Sequence, residues 1–241
     1  MKITVLTLFP EFFDSFVSTS IIKRAIDRGL VSFETVDFRT YTLDKHNHVD
    51  DTPCGGGQGM LLSCQPIVDC IKAVRTENSV VVMMSPQGKT FSQKTAHEFA
   101  NIDHLILLCG HYEGFDERIR DYVDIEVSLG DFVLTGGEGA AMVISDAVIR
   151  LLDGVILTES HADDSFEQGL LEYPQYTRPV EYDGKRVPDV LLSGHHANIR
   201  KWRLKQSLIR TMEKRPDLLE NREFTKEETK IMKEIMEEKT S

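Results

Sequence analysis

The chain has 241 residues, which at about 150 residues per domain corresponds to one large domain or to a medium domain with a smaller partner. Apolar residues make up 41% and charged residues 28%, a globular composition that disfavours collagen-like, low-complexity and fully disordered chains. The net charge is −11, from 28 Lys and Arg against 39 Asp and Glu, which argues against nucleic-acid binding through bulk positive charge. Any nucleic-acid site must therefore be a local basic patch.

The apolar runs and the cysteines indicate the cellular compartment of the protein. The longest runs, Val80–Met84 and Leu105–Cys109, are shorter than the roughly 18 residues that a membrane span needs, and the start of the chain has no export signal. The four cysteines contain no Cys-x-x-Cys pair, which favours reduced thiols over disulfides or a zinc cage. The sequence predicts a cytoplasmic protein without a membrane partner.

Short apolar strands alternate with helical patterns through the first 155 residues. Strands are predicted at Ile3–Leu8, Val31–Phe38, Ser79–Met84, His104–Cys109, Ile125–Leu129 and Phe132–Leu134. Helices are predicted at Glu11–Asp27, Pro66–Val74, Ser92–Asn101 and Glu138–Leu152. Continuous apolar strands are typical of parallel sheets covered on both faces. We predict an α/β domain over residues 1–157 with five or six strands.

The character of the sequence changes after residue 157. Residues 158–172 contain five acids, no Lys or Arg and no apolar period, and we interpret 158–173 as a mobile interdomain linker. A helix is predicted at Ile199–Lys214, and a last helix opens at the capping box formed by Thr225 and Glu228. Residues 174–241 are therefore predicted to form a small helical domain.

Glycine-rich segments are the first candidate binding elements. Gly55–Met60 fits neither the dinucleotide fingerprint nor a phosphate-binding loop, and a flexible surface loop is its alternative. Three other glycine-bearing turns, Ser85–Gly88, Gly110–Gly114 and Gly130–Glu138, each follow a predicted strand. Ligands of open parallel sheets bind at the carboxyl ends of strands, so these turns could form one pocket, although each alone suits an ordinary turn.

Asp164 and Arg150 form a second candidate pair. A carboxylate acts as a base at neutral pH only if its pKa is shifted or if the substrate proton is labile, and a guanidinium can stabilise negative charge. The alternatives are a solvated loop carboxylate for Asp164 and a charge at the C-terminus of a helix for Arg150. The residue types alone favour those alternatives.

The segment His195–Arg215 is the local basic patch, with seven Lys and Arg against Glu213 alone. On a helix, four of the cations fall within an arc of about 80°, and most of the opposite side is covered by Trp202, Leu208, Ile209 and Met212. The four are Arg200, Arg203, Arg210 and Lys214. This clustering favours contact with a polyanion over a merely solvated helix face.

Taken together, the motifs occur in a specific order along the chain. They are Thr7–Glu11, Asp50–Asp51, Gly55–Met60, Ser85–Gly88, Cys109–Gly114, Asp131–Glu138, Tyr176–Pro179 and Ser193–His196. On these motifs the sequence resembles, nearly end to end, the bacterial tRNA (guanine-N1)-methyltransferases of the SPOUT superfamily. The resemblance implies an α/β domain with a deep trefoil knot and a homodimer whose active site is shared between subunits.

The same resemblance implies the activity. A methyl group would pass from S-adenosylmethionine to N1 of guanosine 37 of tRNA, with Mg²⁺ assisting at unassigned ligands and no DNA partner. Open alternatives are another SPOUT RNA methyltransferase, a non-catalytic RNA-binding module and a dinucleotide-dependent dehydrogenase. The dehydrogenase is disfavoured because the glycine register of its fingerprint is missing.

The resemblance also carries site residues onto this sequence. Asp164 corresponds to the general base and Arg150 to its charge-stabilising partner. Cofactor contacts are expected at Met84, Ser85, Pro86, Gly110, Tyr112, Glu113, Leu129, Gly130, Phe132, Leu134, Gly136 and Gly137. Contacts with tRNA are expected at Asp50, Gly55, Gly56, Gly57, Gly59, His195, Arg200, Arg203, Arg210 and Lys214. Glu172 stands where relatives often carry Asp, and Ala140 stands where some carry Pro. The first departure puts in doubt a direct role for the Glu172 carboxylate.

Overall fold

The computed structural model describes residues 1–157 and 163–240, with the side chains of 239 and 240 left out of the description. Contacts divide the chain into two compact units, Met1–Leu157 and Thr158–Ser241. None of the described helices is long and apolar enough to cross a membrane.

The first unit is built on a parallel sheet. Its strands are β1 (Lys2–Thr7), β2 (Ser32–Asp37), β5 (Ser79–Thr90), β6 (His104–Leu108) and β7 (Ile125–Ser128), in the order β2-β1-β6-β5-β7. All four pairings between neighbouring strands are parallel. A separate antiparallel pair consists of β3 (Asp50–Asp51) and β4 (Leu61–Leu62). The predicted α/β class and the five parallel strands are confirmed.

Helices cover both faces of this sheet. They are α1 (Asp14–Val17), α2 (Ser20–Asp27), α3 (Cys64–Val74), α4 (Gln93–Ala100) and α5 (Glu138–Ile149). Val82 and Leu105 pack with α2, α4 and α5 in one buried cluster, whereas Val81 and Ile106 pack with α3 in another. Alternate residues of a strand face opposite sides, so strands enclosed by two layers must be apolar at every position. This explains the continuous apolar runs of the sequence.

The helix predicted over Glu11–Asp27 is wrong as a single element. A 3-10 turn at Pro10–Phe13 precedes α1, and α2 begins only at Ser20 after an extended Thr19. The hydroxyl of Thr19 donates to the carbonyl of Ser15 at 2.6 Å. Hydroxyl side chains that bond to nearby backbone compete with helix continuation, which accounts for the break.

Two predictions near the carboxyl edge of the sheet are also wrong. Phe132–Leu134 forms no strand, because it pairs with no described neighbour, and Val133 is 83% exposed. Ser85–Gly88 is not a turn after a finished strand. It is an irregularity within β5, whose register against β7 shifts between Met84 and Lys89. A shift of this kind bends the strand locally and changes the direction of its side chains.

The second unit is mainly helical. It contains the hairpin β8 (Glu181–Tyr182) and β9 (Lys185–Arg186), and the helices α6 (Asp189–Leu192), α7 (His196–Lys214) and α8 (Lys226–Thr240). The capping box is confirmed, because Thr225 N donates to Glu228 Oε2 at 2.7 Å and Glu228 N donates to Thr225 Oγ1 at 3.2 Å. The two long helices and Leu170 enclose a small core around Leu208 and Ile231.

Part of the predicted linker is in contact with this core. Residues 158–162 lie outside the described residues. From residue 163 onwards the chain packs on the second unit: Leu170 is 7% exposed, and Leu171 N donates to Thr211 Oγ1 at 2.9 Å. The Arg215 guanidinium lies 5.7 Å from the ring centre of Phe166. The mobility of 158–173 remains a prediction, whereas the contacts of 163–173 belong to the second unit.

Candidate active site

A cavity of about 350 Å³ opens beside the irregular part of β5 and the carboxyl ends of β6 and β7. Most of its wall comes from three separate parts of the first unit: Met84–Gln87, Gly110–Phe115 and residues between Ser128 and Gly137. Glu117, Arg120 and Ala140 complete the lining. Parallel strands present their carboxyl ends at one edge, so loops distant in sequence meet there. The predicted convergence of the three segments into one pocket is confirmed, with Ser85–Gln87 contributing from within β5.

Eleven of the twelve expected cofactor residues line this cavity, and Gly130 does not. Gly130 instead closes a tight turn with Ser128, whose Oγ donates to Gly130 O at 3.0 Å and accepts from Gly130 N at 3.1 Å. Gly130 therefore shapes the loop, and its neighbours Leu129 and Phe132 form the wall.

Two of the loops touch through bare backbone. Gly137 N donates to Gly110 O at 2.8 Å. A Cβ atom on Gly137 would lie 2.7 Å from Cys109 Cα, a distance at which the backbones must move apart. Glycine at this position therefore lets the end of β6 and the start of α5 meet at the cavity wall.

A buried carboxylate lies behind this contact. Glu138, at the start of α5, is 4% exposed, and its Oε1 accepts a hydrogen bond from Thr7 Oγ1 at 2.7 Å. The same Thr7 hydroxyl accepts from Phe9 N at 3.0 Å. These bonds join the end of β1 to the first turn of α5, next to the cavity loops.

The glycine-rich loop Gly55–Met60 docks against the Gly110–Gly114 loop. Glu113 N donates to Met60 O at 3.0 Å, and a Cβ on Gly59 would lie 2.3 Å from Glu113 Cγ. The structure thus brings Gly59, an expected tRNA contact, next to Glu113, an expected cofactor contact. Gly55, Gly56 and Gly57 are exposed, and Asp50 is half-buried in β3.

Arg120 supports the cavity from the side. Its guanidinium donates to Gln87 Oε1 at 3.2 Å and to Glu117 Oε2 at 2.9 Å, and it pairs closely with Glu126. Its side chain is 24% exposed. Since Gln87 belongs to the irregular part of β5, Arg120 ties that wall to β7 and to the 3-10 helix Glu117–Tyr122. Nothing in the sequence pattern indicated this contact.

The thiol of Cys109, which precedes the cavity residue Gly110, has low reactivity. Burial raises the pKa of the Cys109 thiol well above its usual value, with Glu138 adding to the shift. The neutral thiol is a poor nucleophile, so covalent catalysis through Cys109 is disfavoured. Among the described residues, no group of three or more His, Cys, Asp and Glu side chains could hold a metal ion.

The two expected catalytic residues belong to different units. Arg150 follows the last residue of α5 in the first unit, where its backbone N–H donates to Asp146 O at 3.1 Å. Asp164 lies in the second unit, in a turn where Glu167 N donates to Asp164 O at 3.2 Å. Both are partly buried.

The basic helix is α7, and part of its charge is paired. Arg200 contacts Glu227 at 3.3 Å, Lys201 contacts Glu234 at 3.1 Å, and Lys205 contacts Glu238 at 2.7 Å, all three acids being on α8. Because the paired residues are 27 to 33 positions apart in sequence, the pattern of one helix alone could not predict these ion pairs. The local positive charge of α7 is therefore smaller than the sequence suggests.

The remaining expected tRNA contacts of this unit have separate roles. Arg203 stacks over the Tyr173 ring at 4.7 Å, and Arg210 donates to the Glu172 carbonyl at 3.2 Å. Lys214 is exposed at the last turn of α7, and His195 precedes its first turn.

A parallel α/β sheet with a loop-built cavity at its carboxyl edge defines a ligand-binding domain of the kind found in many enzymes. The sequence profile of the family tRNA (Guanine-1)-methyltransferase TrmD matches residues 1–221. The chain belongs to this family.

Curated relatives resemble the chain over nearly its full length. A tRNA (guanine-N(1)-)-methyltransferase of Shouchella clausii is 57% identical over 98% of this chain and 99% of its own. One of Clostridium botulinum strain Hall is 58% identical over 98% of each chain. One of Aster yellows witches'-broom phytoplasma is 54% identical over 99% of each.

Proposed function

We propose that this chain transfers a methyl group from S-adenosylmethionine to N1 of guanosine 37 in tRNA. The observation that carries the proposal is the convergence of three segments, distant in sequence, into one cavity of the parallel sheet, in a chain of the tRNA (Guanine-1)-methyltransferase family. The activity in the names of the relatives is a methyl transfer to tRNA guanine.

The residues of the cavity fit S-adenosylmethionine. Tyr112, Phe132 and Leu134 are about half exposed at the cavity and offer apolar surface to a flat heterocycle. The carboxylates of Glu113 and Glu117 suit a ligand that carries an amino group and a sulfonium. When bound, S-adenosylmethionine supplies a methyl group activated by positive sulfur.

The two catalytic residues would act on the guanine. Asp164 takes the N1 proton as the N1–carbon bond forms and the carbon–sulfur bond breaks. Arg150 stabilises the negative charge that develops on O6. Holding both groups against a bound base would also lower the barrier by orientation.

We propose that two chains form each active site. Arg150 and the cavity come from one subunit, and Asp164 and the helical unit come from its partner. The deep trefoil knot belongs to the same proposal, and the order of the parallel strands is compatible with it. Sedimentation that finds an active monomer would contradict the shared site.

Further parts of the proposal are Mg²⁺ dependence, with no ligands assigned, and action in the cytoplasm, where tRNA is available. DNA is not expected as a partner.

The decisive experiment mixes the chain with unmodified tRNA and S-adenosylmethionine labelled in its methyl group. We expect label at N1 of guanosine 37, and absence of transfer would defeat the proposal. Calorimetry with S-adenosylmethionine and NAD tests the dehydrogenase alternative, which tight binding of NAD alone would favour.

Single variants test the assigned roles. Asp164→Ala should abolish transfer and leave the affinity for S-adenosylmethionine nearly unchanged, because the cofactor lies in the first unit. Glu181→Ala, at an exposed carboxylate of the β8–β9 hairpin in the same unit, is the control and should retain transfer. Mixing Asp164→Ala with Arg150→Ala chains should restore part of the activity if each site combines two subunits.

A further inference from the structure

A second cavity lies within the helical unit, in residues that the proposed chemistry does not use. It has a volume of about 550 Å³. Its lining includes two tyrosines, two arginines and a floor of aliphatic side chains. The aliphatic residues are Val180, Val187, Leu191, Leu192 and Ile199.

One aromatic wall is held in place from two sides. The guanidinium of Arg203 lies 4.7 Å from the ring centre of Tyr173, and the Tyr173 hydroxyl donates to Asp163 Oδ2 at 3.2 Å. A fixed aromatic ring beside an arginine loses little conformational entropy when a ligand packs against it.

The other side of the cavity is open and cationic. Tyr176 is 50% exposed and Leu192 is 49% exposed, so both present apolar surface to solvent. Arg178 is exposed and makes no hydrogen bond or ion pair with any residue that the structure describes. A ligand with a flat apolar part and an adjacent negative charge would satisfy both features.

We infer that this cavity binds one unstacked nucleobase of a single-stranded stretch of the tRNA, other than the target guanosine. Bases in loops stack on aromatic side chains and arginine planes, and their phosphates pair with free guanidinium groups. A base-paired stem presents phosphates but no open base face, so it would leave Tyr176 and the aliphatic floor unused. The inference rests on the proposed function, because it takes tRNA as the substrate.

The chain offers matched pairs of variants. Tyr176→Ala and Arg178→Gln alter the cavity, whereas Tyr182→Ala and Lys185→Gln change exposed residues of the β8–β9 hairpin that do not line it. We expect Tyr176→Ala to weaken tRNA binding about tenfold, the loss of one stacked base, and Tyr182→Ala to leave it unchanged. The affinity for S-adenosylmethionine should stay the same in all four.

A set of tRNAs with one abasic nucleotide at each unpaired position of the anticodon loop identifies the base. At one position, we expect the abasic tRNA to bind wild-type chain more weakly than intact tRNA does. The Tyr176→Ala variant should bind that abasic tRNA and intact tRNA with equal affinity. Losses that do not add in this way report a direct contact. Leu192→Trp, which would fill the open side of the cavity, should reproduce the effect if Tyr176→Ala does not fold.

Three results would overturn the inference. They are unchanged tRNA binding by the cavity variants, non-additivity only at the target guanosine, and a changed sedimentation coefficient of Tyr176→Ala, which would mark an interface between two copies of the chain. Each is distinguishable from failure of the proposed function, in which wild-type chain transfers no methyl group.

Discussion

The hydroxyl of Thr7 donates to the buried carboxylate of Glu138 at 2.7 Å, and it thereby joins β1 to α5 across 131 positions of the sequence. Thr7→Val keeps the shape of the side chain but removes the donor. We expect the free energy of unfolding to fall by about 1–3 kcal/mol, because a buried carboxylate loses its partner. Urea unfolding measures this, with Thr40→Val, at an exposed threonine, as the control.

From the contacts of Arg120 we predict that its substitution weakens cofactor binding. Arg120→Gln is too short to reach Gln87, Glu117 and Glu126 together, so the wall of the cavity at β5 should loosen. We expect about tenfold weaker binding of S-adenosylmethionine by calorimetry, equivalent to losing one charged hydrogen bond. The matched control is Arg118→Gln, since Arg118 is 76% exposed and pairs with neighbouring Asp116. Equal effects of the two variants would contradict the positioning role.

His104 predicts a dependence of stability on pH. The Thr4 hydroxyl donates to Glu34 at 2.9 Å and contacts His104 Nε2 at 2.9 Å, while Ser79 Oγ contacts His104 Nδ1 at 2.8 Å. Since the Thr4 proton is used on Glu34, Nε2 carries a proton and donates to Thr4. In the neutral ring Nδ1 is then an acceptor, and it faces Ser79 Oγ. Burial first, and Lys2 second, lower the pKa of His104 below its usual 6.5, against the opposing charge of Glu34.

The sign of the effect follows from this lowered pKa. Below about pH 6.5 the unfolded chain takes up a proton that the folded chain resists, so stability falls as the pH decreases. We expect the free energy of unfolding to drop between pH 7.5 and 5.5, and to drop less in His104→Gln. His196→Gln, at an exposed histidine, should keep the wild-type slope. The pKa of Glu34 is also lowered, from 4.5, by its bonds to Lys2 and Thr4, and its contribution is lost only at lower pH.

The capping box predicts the stability of the second unit. Thr225→Ala removes the hydroxyl that accepts from Glu228 N, so the start of α8 should lose about 1 kcal/mol. The single tryptophan, Trp202, lies in α7 and reports this unit by fluorescence. Thr229→Ala, one turn into α8, is the control and should change the unfolding midpoint little.

Local sequence patterns predicted the sheet because each apolar run is a strand buried on both faces. They failed where a side chain bonds at close range, as Thr19 does to Ser15, and where an element has no partner, as at Phe132–Leu134. Two of the three cavity segments were predictable because the glycines at Gly110 and Gly130 follow β6 and β7, whereas Ser85–Gly88 lies within β5. The contact of Arg120 with Gln87 and the acids facing α7 were not predictable, since those contacts join residues 27 to 33 positions apart in sequence.

The ion pairs between α7 and α8 reduce the free energy that the basic helix can gain by binding an RNA phosphate. An RNA phosphate that approaches Arg200, Lys201 or Lys205 must compete with a carboxylate already within 3.3 Å of each cation. A polyanion that offers only scattered charge gains little from such an exchange. The acids of α8 would thus keep the nonspecific electrostatic attraction of RNA to α7 low. Discrimination among RNAs would then depend on the shape of the RNA and on several contacts made at once.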